Sequence, residues 1–433
     1  MVLSLIGFAA LLAIAFFGFP LGFSMMLVGF VGFAYIRGTI PALEMVSQQI
    51  LDLALNANFV ALPLFVLMGV FVFRAALAED VYEAAHAWLG NRRGGVAMAT
   101  VAACGGFASI SGSSVATAAT MAKVSIPPMR KYRYNPGFAA GTVAAGGTMG
   151  ILIPPSAALI VYGILTEESI GDLFIAGIIP GLITISLYML VIWLVARFRP
   201  ELAPQGPKTP WNIRWQTLSR IWAVIVLFLF IMGGITIGAF TPTEGGGMGA
   251  VGALLFAIMR GKVNLRIFYY ALAEAAETSA MIFTIAFGAL ILNNFINVAG
   301  MPNAIVNFIE TLNISPMAVI LLILLIYILL GTIIEGLAMI FLTVPIFVPL
   351  VDAMGFDLIW FGIVMVMVVE ISLITPPIGL NVFVIKSMMP DVPLSAMFKG
   401  IVPFFAADIV RLMLVVFFPA LALWLPQLAV SLR

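Results

Sequence analysis

Apolar runs long enough to cross a bilayer recur along almost the whole chain, separated by short polar stretches. They predict full crossings near 2–17, 21–36, 59–78, 136–165 and 171–196, and a second set near 219–239, 242–259, 268–298, 358–386 and 401–429. Two more apolar stretches, near 94–128 and 315–352, are interrupted by Gly, Ser or Glu close to their middles. Backbone that leaves the helix at membrane depth is tolerated only where protein or a wet cavity satisfies it. These two stretches are therefore expected to be re-entrant hairpins that enter and leave on one side. The mixed segments 37–58 and 260–278 carry apolar and polar residues at helical spacing and are expected to lie in the interface plane. Residues 2–17 read as a membrane helix, because no cationic region precedes them as in a cleaved signal peptide.

The pattern repeats. Pro154 and Pro155 of GILIPPSAAL fall on Pro376 and Pro377 of SLITPPIGLN at an offset of 222 (376 − 154). The same offset carries Pro127 onto Pro349, Ala116 onto Ala338 and Pro20 onto Pro242. The chain thus divides into a first repeat, 1–198, a proline-rich polar linker, 199–216, and a second repeat, 217–433. Each repeat has five crossings and one hairpin, and an odd number of crossings gives the two copies opposite orientation. The expected fold is an all-α polytopic membrane protein of two inverted-topology repeats, with proline-broken helices near 136–165 and 358–386. Broken helices in such repeats are where transporters build ion and substrate sites.

Composition and charge narrow the classes. Apolar residues make up 63% of the chain and charged residues 9%, against about 25% charged in soluble domains. A net charge of +1 without a basic patch gives nucleic acid nothing to bind. The lone Cys104 excludes internal disulfides and zinc clusters. With the N-terminus outside, Arg92, Arg93, Arg130, Lys131, Arg214 and Arg260 gather on the cytoplasmic side with most other cations. Only Arg37, Arg411 and Arg433 fall elsewhere. Glu44, Asp52, Glu167, Glu168, Asp172, Glu310, Asp352 and Asp357 lie outside, and both termini are predicted to be periplasmic. No Ser-His-Asp set, phosphate loop or His pair supports an enzyme.

The first hairpin, CGGFASISGSSVATAATM, concentrates Ser111, Gly112, Ser113 and Ser114 where the run is deepest. Serine hydroxyls and freed carbonyls can replace the water around a small cation. Small residues also serve close helix packing in membranes. In the second hairpin Glu335 and Gly336 stand at the matching depth, Glu335 on Ser113 (113 + 222 = 335). An acid at that depth is either a functional carboxylate or a cap for backbone amides at the hairpin tip. Glu370 is open to the same two readings, functional or structural. Glu244 reads as a helix N-cap partner of Thr241 or Thr243, His86 as a solvated surface residue, and Cys104 as packing.

These segments, with AAGGTMGILIPPSAALIVYG, LFIAGIIPGL, FTPTEGGG and LTVPIFVPLVDAMGFDLIWFGIVMVMVVEISLITPPIGLNVFV, resemble the DctM-like large membrane (permease) subunit of tripartite ATP-independent periplasmic (TRAP) transporters, over nearly the whole chain. The resemblance implies a sodium-coupled importer of small organic acids in the bacterial inner membrane. It implies two partners, a periplasmic substrate-binding protein and a small four-helix membrane subunit, here expected as a separate chain. It also implies an elevator, in which a transport domain carrying both hairpins moves past a scaffold. One sodium site would lie between Ser111, Gly112, Ser113 and Ser114 and the break at Gly147 and Gly150. The other would lie between Glu335 and Gly336 and the break at Thr375 and Gly379. Substrate would meet Ser114, Pro154, Pro155, Pro377 and Asn381. No cofactor beyond the coupling ion is implied. The alternatives are a stand-alone sodium/carboxylate symporter of the same superfamily and a non-transporting membrane scaffold.

Overall fold

In an apolar chain each backbone N–H and C=O has to find its partner within its own segment, and helices meet that requirement. The computed structural model describes residues 2–312 and 314–432, and regular structure there is helical apart from one isolated β-bridge between Arg93 and Gln205. Two members of the charge pattern, the side chain of Glu310 and all of Arg433, lie outside the described residues.

The first half runs through α1 (Val2–Phe16), α2 (Leu21–Arg37), α3 (Thr39–Leu55), α4 (Ala61–Arg74), α5 (Leu77–Leu89), α6 (Gly95–Ser111), α7 (Ser114–Lys131), α8 (Pro136–Thr148), α9 (Ala157–Thr166) and α10 (Ile170–Phe198). After α11 (Trp211–Leu218) come α12 (Trp222–Thr236), α13 (Pro242–Met259), α14 (Leu265–Val298), α15 (Met301–Leu312), α16 (Pro316–Gly331), α17 (Gly336–Ala353), α18 (Leu358–Ser372), α19 (Leu380–Met388), α20 (Leu394–Phe417) and α21 (Ala420–Leu432). The elements recur in order at the offset of 222. Helix α7 begins at Ser114 and α17 at Gly336, and α8 begins at Pro136 and α18 at Leu358.

Packing is reciprocal between the halves. Helix α2 lies along α14 and α4 along α13, while α9 packs on α17 and α19 on α7. The two innermost helices are the counterparts α8 and α18, buried from Gly137 to Thr148 and from Trp360 to Ser372. Close approach explains the small residues of α8: a Cβ on Gly141 would sit 2.5 Å from the backbone of Gly400 in α20. The molecule's outside is the reverse of a soluble protein's. Phe16, Phe17, Leu55, Leu265 and many other large apolar side chains are exposed there, as a lipid-facing surface requires. Among the described residues, six helical stretches are long and apolar enough to cross a membrane alone, one of them the hairpin arm α17.

Four details differ from the pattern-based reading. Segment 260–278 does not form a separate interfacial piece: from Leu265 it continues into the crossing as the single 34-residue α14, whereas its counterpart α3 is cut off at Asn56. Apolar periodicity alone does not reveal that Asn56, whose side chain accepts from Asn58 N at 3.0 Å, breaks one copy only. The last crossing, 401–429, is two helices, α20 and α21, parted at Phe418 and Pro419, because proline offers no N–H to continue the ladder. The linker is pinned: Gly94 N donates to Ala203 O and Asn135 N to Leu202 O, and it ends in α11. His86 is not solvated, being half-buried on α5 between the rings of Tyr82 and Tyr132, at centroid distances of 5.9 and 6.0 Å.

Candidate functional site

Each hairpin tip is a helix start, and capping dictates what stands there. Ser113 precedes α7 in extended conformation, and its hydroxyl accepts the N–H of Ala116 at 3.4 Å. Glu335 does the same for α17, its Oε2 accepting from Ala338 N at 3.1 Å. The two caps correspond at the offset, acceptor to acceptor and donor to donor. Capping is therefore one role of Glu335. Its side chain is exposed at the molecular surface.

The first tip gathers oxygens. Gly112 turns the chain with φ +64°, which glycine adopts without strain. The Ser111 hydroxyl lies 2.6 Å from Thr117 Oγ1, which donates to the Ser113 carbonyl at 2.7 Å. Thr117, one helical turn inside α7, was not singled out by the sequence pattern; the spacing that selects it is that of a residue four after the cap. The broken helix closes on this group. A Cβ on Gly150 would collide with the Ser113 carbonyl and lie 2.8 Å from Thr117 Oγ1. One on Gly147 would lie 2.8 Å from Ala118 Cα, and one on Gly112 would lie 2.9 Å from the Pro155 carbonyl. Ser111, Gly112, Ser113, Gly147, Gly150 and Pro155 thus share one place, with Ser114 buried beside them at the start of α7. Hydroxyls, a carbonyl and no charge form a set that suits a small hard cation or a polar ligand atom. Pro154 and Pro155, joined by a cis peptide bond, are buried.

The second tip is built differently. Gly331 packs against Ser372 and Gly336 against Val369, where a Cβ would come within 2.7 Å of Cγ1, so the hairpin leans on the C-terminal end of α18. Beyond that end, Thr375 bends back to donate to the Ile371 carbonyl at 2.6 Å, and Gly379 opens α19 with φ +60°. Pro376, Pro377 (again with a cis bond between them) and Ile378 are exposed. Asn381 is buried and reaches the other half, its Nδ2 donating to Ala144 O of α8 at 3.3 Å. Glu335 and Gly336 are therefore adjacent to α18, Asn381 touches the first half's innermost helix, and Pro377 faces outward.

Other candidates resolve as structure. Thr241 and Glu244 form a reciprocal capping box, Glu244 N donating to Thr241 Oγ1 at 3.2 Å and Thr241 N to Glu244 Oε2 at 2.8 Å. Cys104 is packed beneath Gly146. Among the described residues no group of three His, Cys, Asp or Glu could hold a metal. Sequence reasoning left Arg411 unplaced and Glu370 undecided. Arg411 is fully buried, with Nη1 2.8 Å from Glu370 Oε2 and Nη2 3.2 Å from Asp408 Oδ1. Its spacing of three from Asp408, inside an apolar run, is the signal that would have found it.

Residues 6–421 match the family described as tripartite ATP-independent periplasmic transporter, DctM component. The C4-dicarboxylate TRAP transporter large permease protein DctM of Pseudomonas aeruginosa is 36% identical over 373 residues, covering 86% of each chain. The sialic acid TRAP transporter large permease protein SiaM of Vibrio cholerae is 31% identical over 429 residues, 99% of each chain. The Alcanivorax borkumensis YdaH transporter, whose crystal structure has an unusual topology, superimposes with a TM-score of 0.60 over 88% of each chain at 14% identity, a likeness of fold.

Proposed function

Because the chain belongs to the DctM component family of tripartite ATP-independent periplasmic transporters, we propose that it is the large inner-membrane subunit of a sodium-coupled importer of a small organic acid. A periplasmic binding protein delivers the substrate and a separate small membrane subunit completes the complex. The observation that carries the ion coupling is the first hairpin tip, where Ser111, Ser113 and Thr117 converge and the glycines of the break leave room for nothing larger than a hydrogen. A sodium ion bound there takes oxygens from Ser111, Ser113, Ser114 and the backbone of Gly112, Gly147 and Gly150. A second ion lies at Glu335, Gly336, Thr375 and Gly379. The substrate carboxylate sits between the hairpins, near Ser114, Pro154, Pro155, Pro377 and Asn381, where the amino ends of α7 and α17 supply positive partial charge.

The matching order of elements and their reciprocal packing support an inverted repeat. Helices α1–α4 and α12–α14 form the scaffold, and the hairpins with the broken helices form the body that moves as an elevator. Both termini face the periplasm. The test is uptake of a labelled carboxylate into liposomes holding this chain and its small subunit, with binding protein outside. Uptake should require both partners and an inward sodium gradient, and Glu335→Gln should weaken the sodium dependence. Uptake by the chain alone, or indifference to sodium, would overturn the reading.

A further inference from the structure

Three helices from both halves meet around a buried charge cluster. Glu370 of α18, Asp408 and Arg411 of α20, and Tyr188 and Thr184 of α10 are all at most 1% exposed. Two carboxyls face one guanidinium. If all three were ionised, a net negative charge would be sealed in an apolar interior, at a cost that proteins avoid by neutralising a group. The contacts show which carboxyl is the better solvated. Asp408 accepts the Tyr188 hydroxyl, 2.8 Å from each of its oxygens, and its Oδ1 forms an ion pair with Arg411 Nη2 at 3.2 Å. Arg411 Nη1 also donates to Thr184 Oγ1 at 2.5 Å. Glu370 has Arg411 as an ion-pair neighbour of Oε2 only, and neither of its buried oxygens has a hydrogen-bond partner. Glu370 also lies in the last turn of α18, where the carbonyl ends of the helix disfavour negative charge.

We propose that Glu370 is a proton-binding site: its Oε1 carries a proton taken from water, leaving Arg411 and Asp408 as a neutral ion pair. A metal cation in this place is disfavoured, since one free carboxyl edge supplies far fewer oxygens than a hard ion takes. The surroundings offer no other counter-charge. Helices α6, α8, α9, α12, α16 and α21, which pack on these three, contain no charged residue. Their titratable side chains are Cys104, Tyr162, whose hydroxyl donates to Leu358 O, and Tyr327, in contact with Thr343. Of the neighbours that do carry charge, α19 presents Lys386, which donates to the carbonyls of Pro390 and Val392, and α17 presents Asp352 at its exposed far end. The site is distinct from both hairpin tips and does not depend on sodium coupling.

The test is infrared spectroscopy of the full chain in lipid nanodiscs near neutral pH. The wild type should show a carboxylic-acid carbonyl band that shifts in D2O, and Glu370→Gln, which copies the shape of a protonated glutamate, should abolish it. That variant should also keep its Tm within about 2 °C of wild type, since no ion pair is lost. A wild type without such a band, or a band that survives Glu370→Gln, overturns the proposal. If the variant does not accumulate, carboxyl-13C labelling of all glutamates in the wild type must move the band, and an unmoved band assigns the proton to an aspartate and overturns it.

Discussion

At Ser113 and at Glu335 a side-chain oxygen accepts the amide three residues on, so replacing either removes a helix cap before it removes any ion ligand. Losing such a cap costs about 1 kcal/mol, which sets the background for reading mutants here. Ser113→Ala is expected to lower Tm by that small amount and to raise the sodium concentration for half-maximal uptake. Ser113→Thr, which keeps the hydroxyl, should restore both. A Ser113→Ala protein with unaltered sodium activation would leave the side chain only its capping role. His86 offers a pH test outside the apolar spans. Burial lowers its pKa below the ordinary 6.5, and the folded protein holds it neutral between two tyrosines. The unfolded chain takes up the proton first, so this contribution to stability is present above about pH 6.5 and is lost as the pH falls. Melting curves between about pH 7 and 5 should show a shallower acid decline for His86→Phe, which keeps the stack. An identical decline would place the acid sensitivity elsewhere.

At the scale of elements, the contact between a hairpin and its broken helix depends on missing side chains. Gly150→Ala puts a methyl group into the Ser113 carbonyl and Thr117, and overpacking of this kind costs about 1–3 kcal/mol. Uptake should fall sharply while helical content by circular dichroism stays near wild type. Gly233→Ala in α12, which meets open space, is the control and should transport normally. Much of this layer is legible in the sequence. The runs at 94–128 and 315–352 turn where their small or acidic residues stand, and the breaks lie at the two Pro-Pro pairs, because proline and glycine act locally. What the sequence hides is non-local. The exposure of Pro377 beside the burial of Pro155, the continuity of α14 and the partners of Arg411 are set by neighbours far along the chain. Thr117 joined the tip for the same reason: its hydroxyl matters only once Gly112 has folded Ser111 back toward it.

On the scale of the whole molecule the halves interlock, since α9 of the first packs on the hairpin of the second and α19 returns the exchange. Hydrogen bonds tie the exchange at its centre. The Tyr162 hydroxyl donates to Leu358 O at 2.6 Å, and Asn381 to Ala144 O. Tyr162→Phe should cost about 1 kcal/mol, visible as a lower Tm with sodium dependence unchanged. A protease site placed at Pro207 and cut after folding should leave both halves co-eluting in detergent. Their separation would mean that the linker, and not the reciprocal packing, holds the molecule together. Four ion pairs, Arg74–Glu274, Arg130–Asp391, Arg220–Glu83 and Arg260–Asp80, join distant segments through cations that the charge pattern assigns to the cytoplasmic side. All are at least partly exposed, and pairs of that kind contribute little to stability.

The unequal burial of the two proline breaks carries a kinetic consequence. Pro154 and Pro155 are shut inside the protein, whereas Pro376 and Pro377 open outward. Under the proposed ion coupling, an ion resting against the buried first break exchanges more slowly than one against the exposed second break. Loading and unloading then follow an order, the sheltered ion entering first and leaving last, and residence time becomes the property that distinguishes two otherwise parallel places.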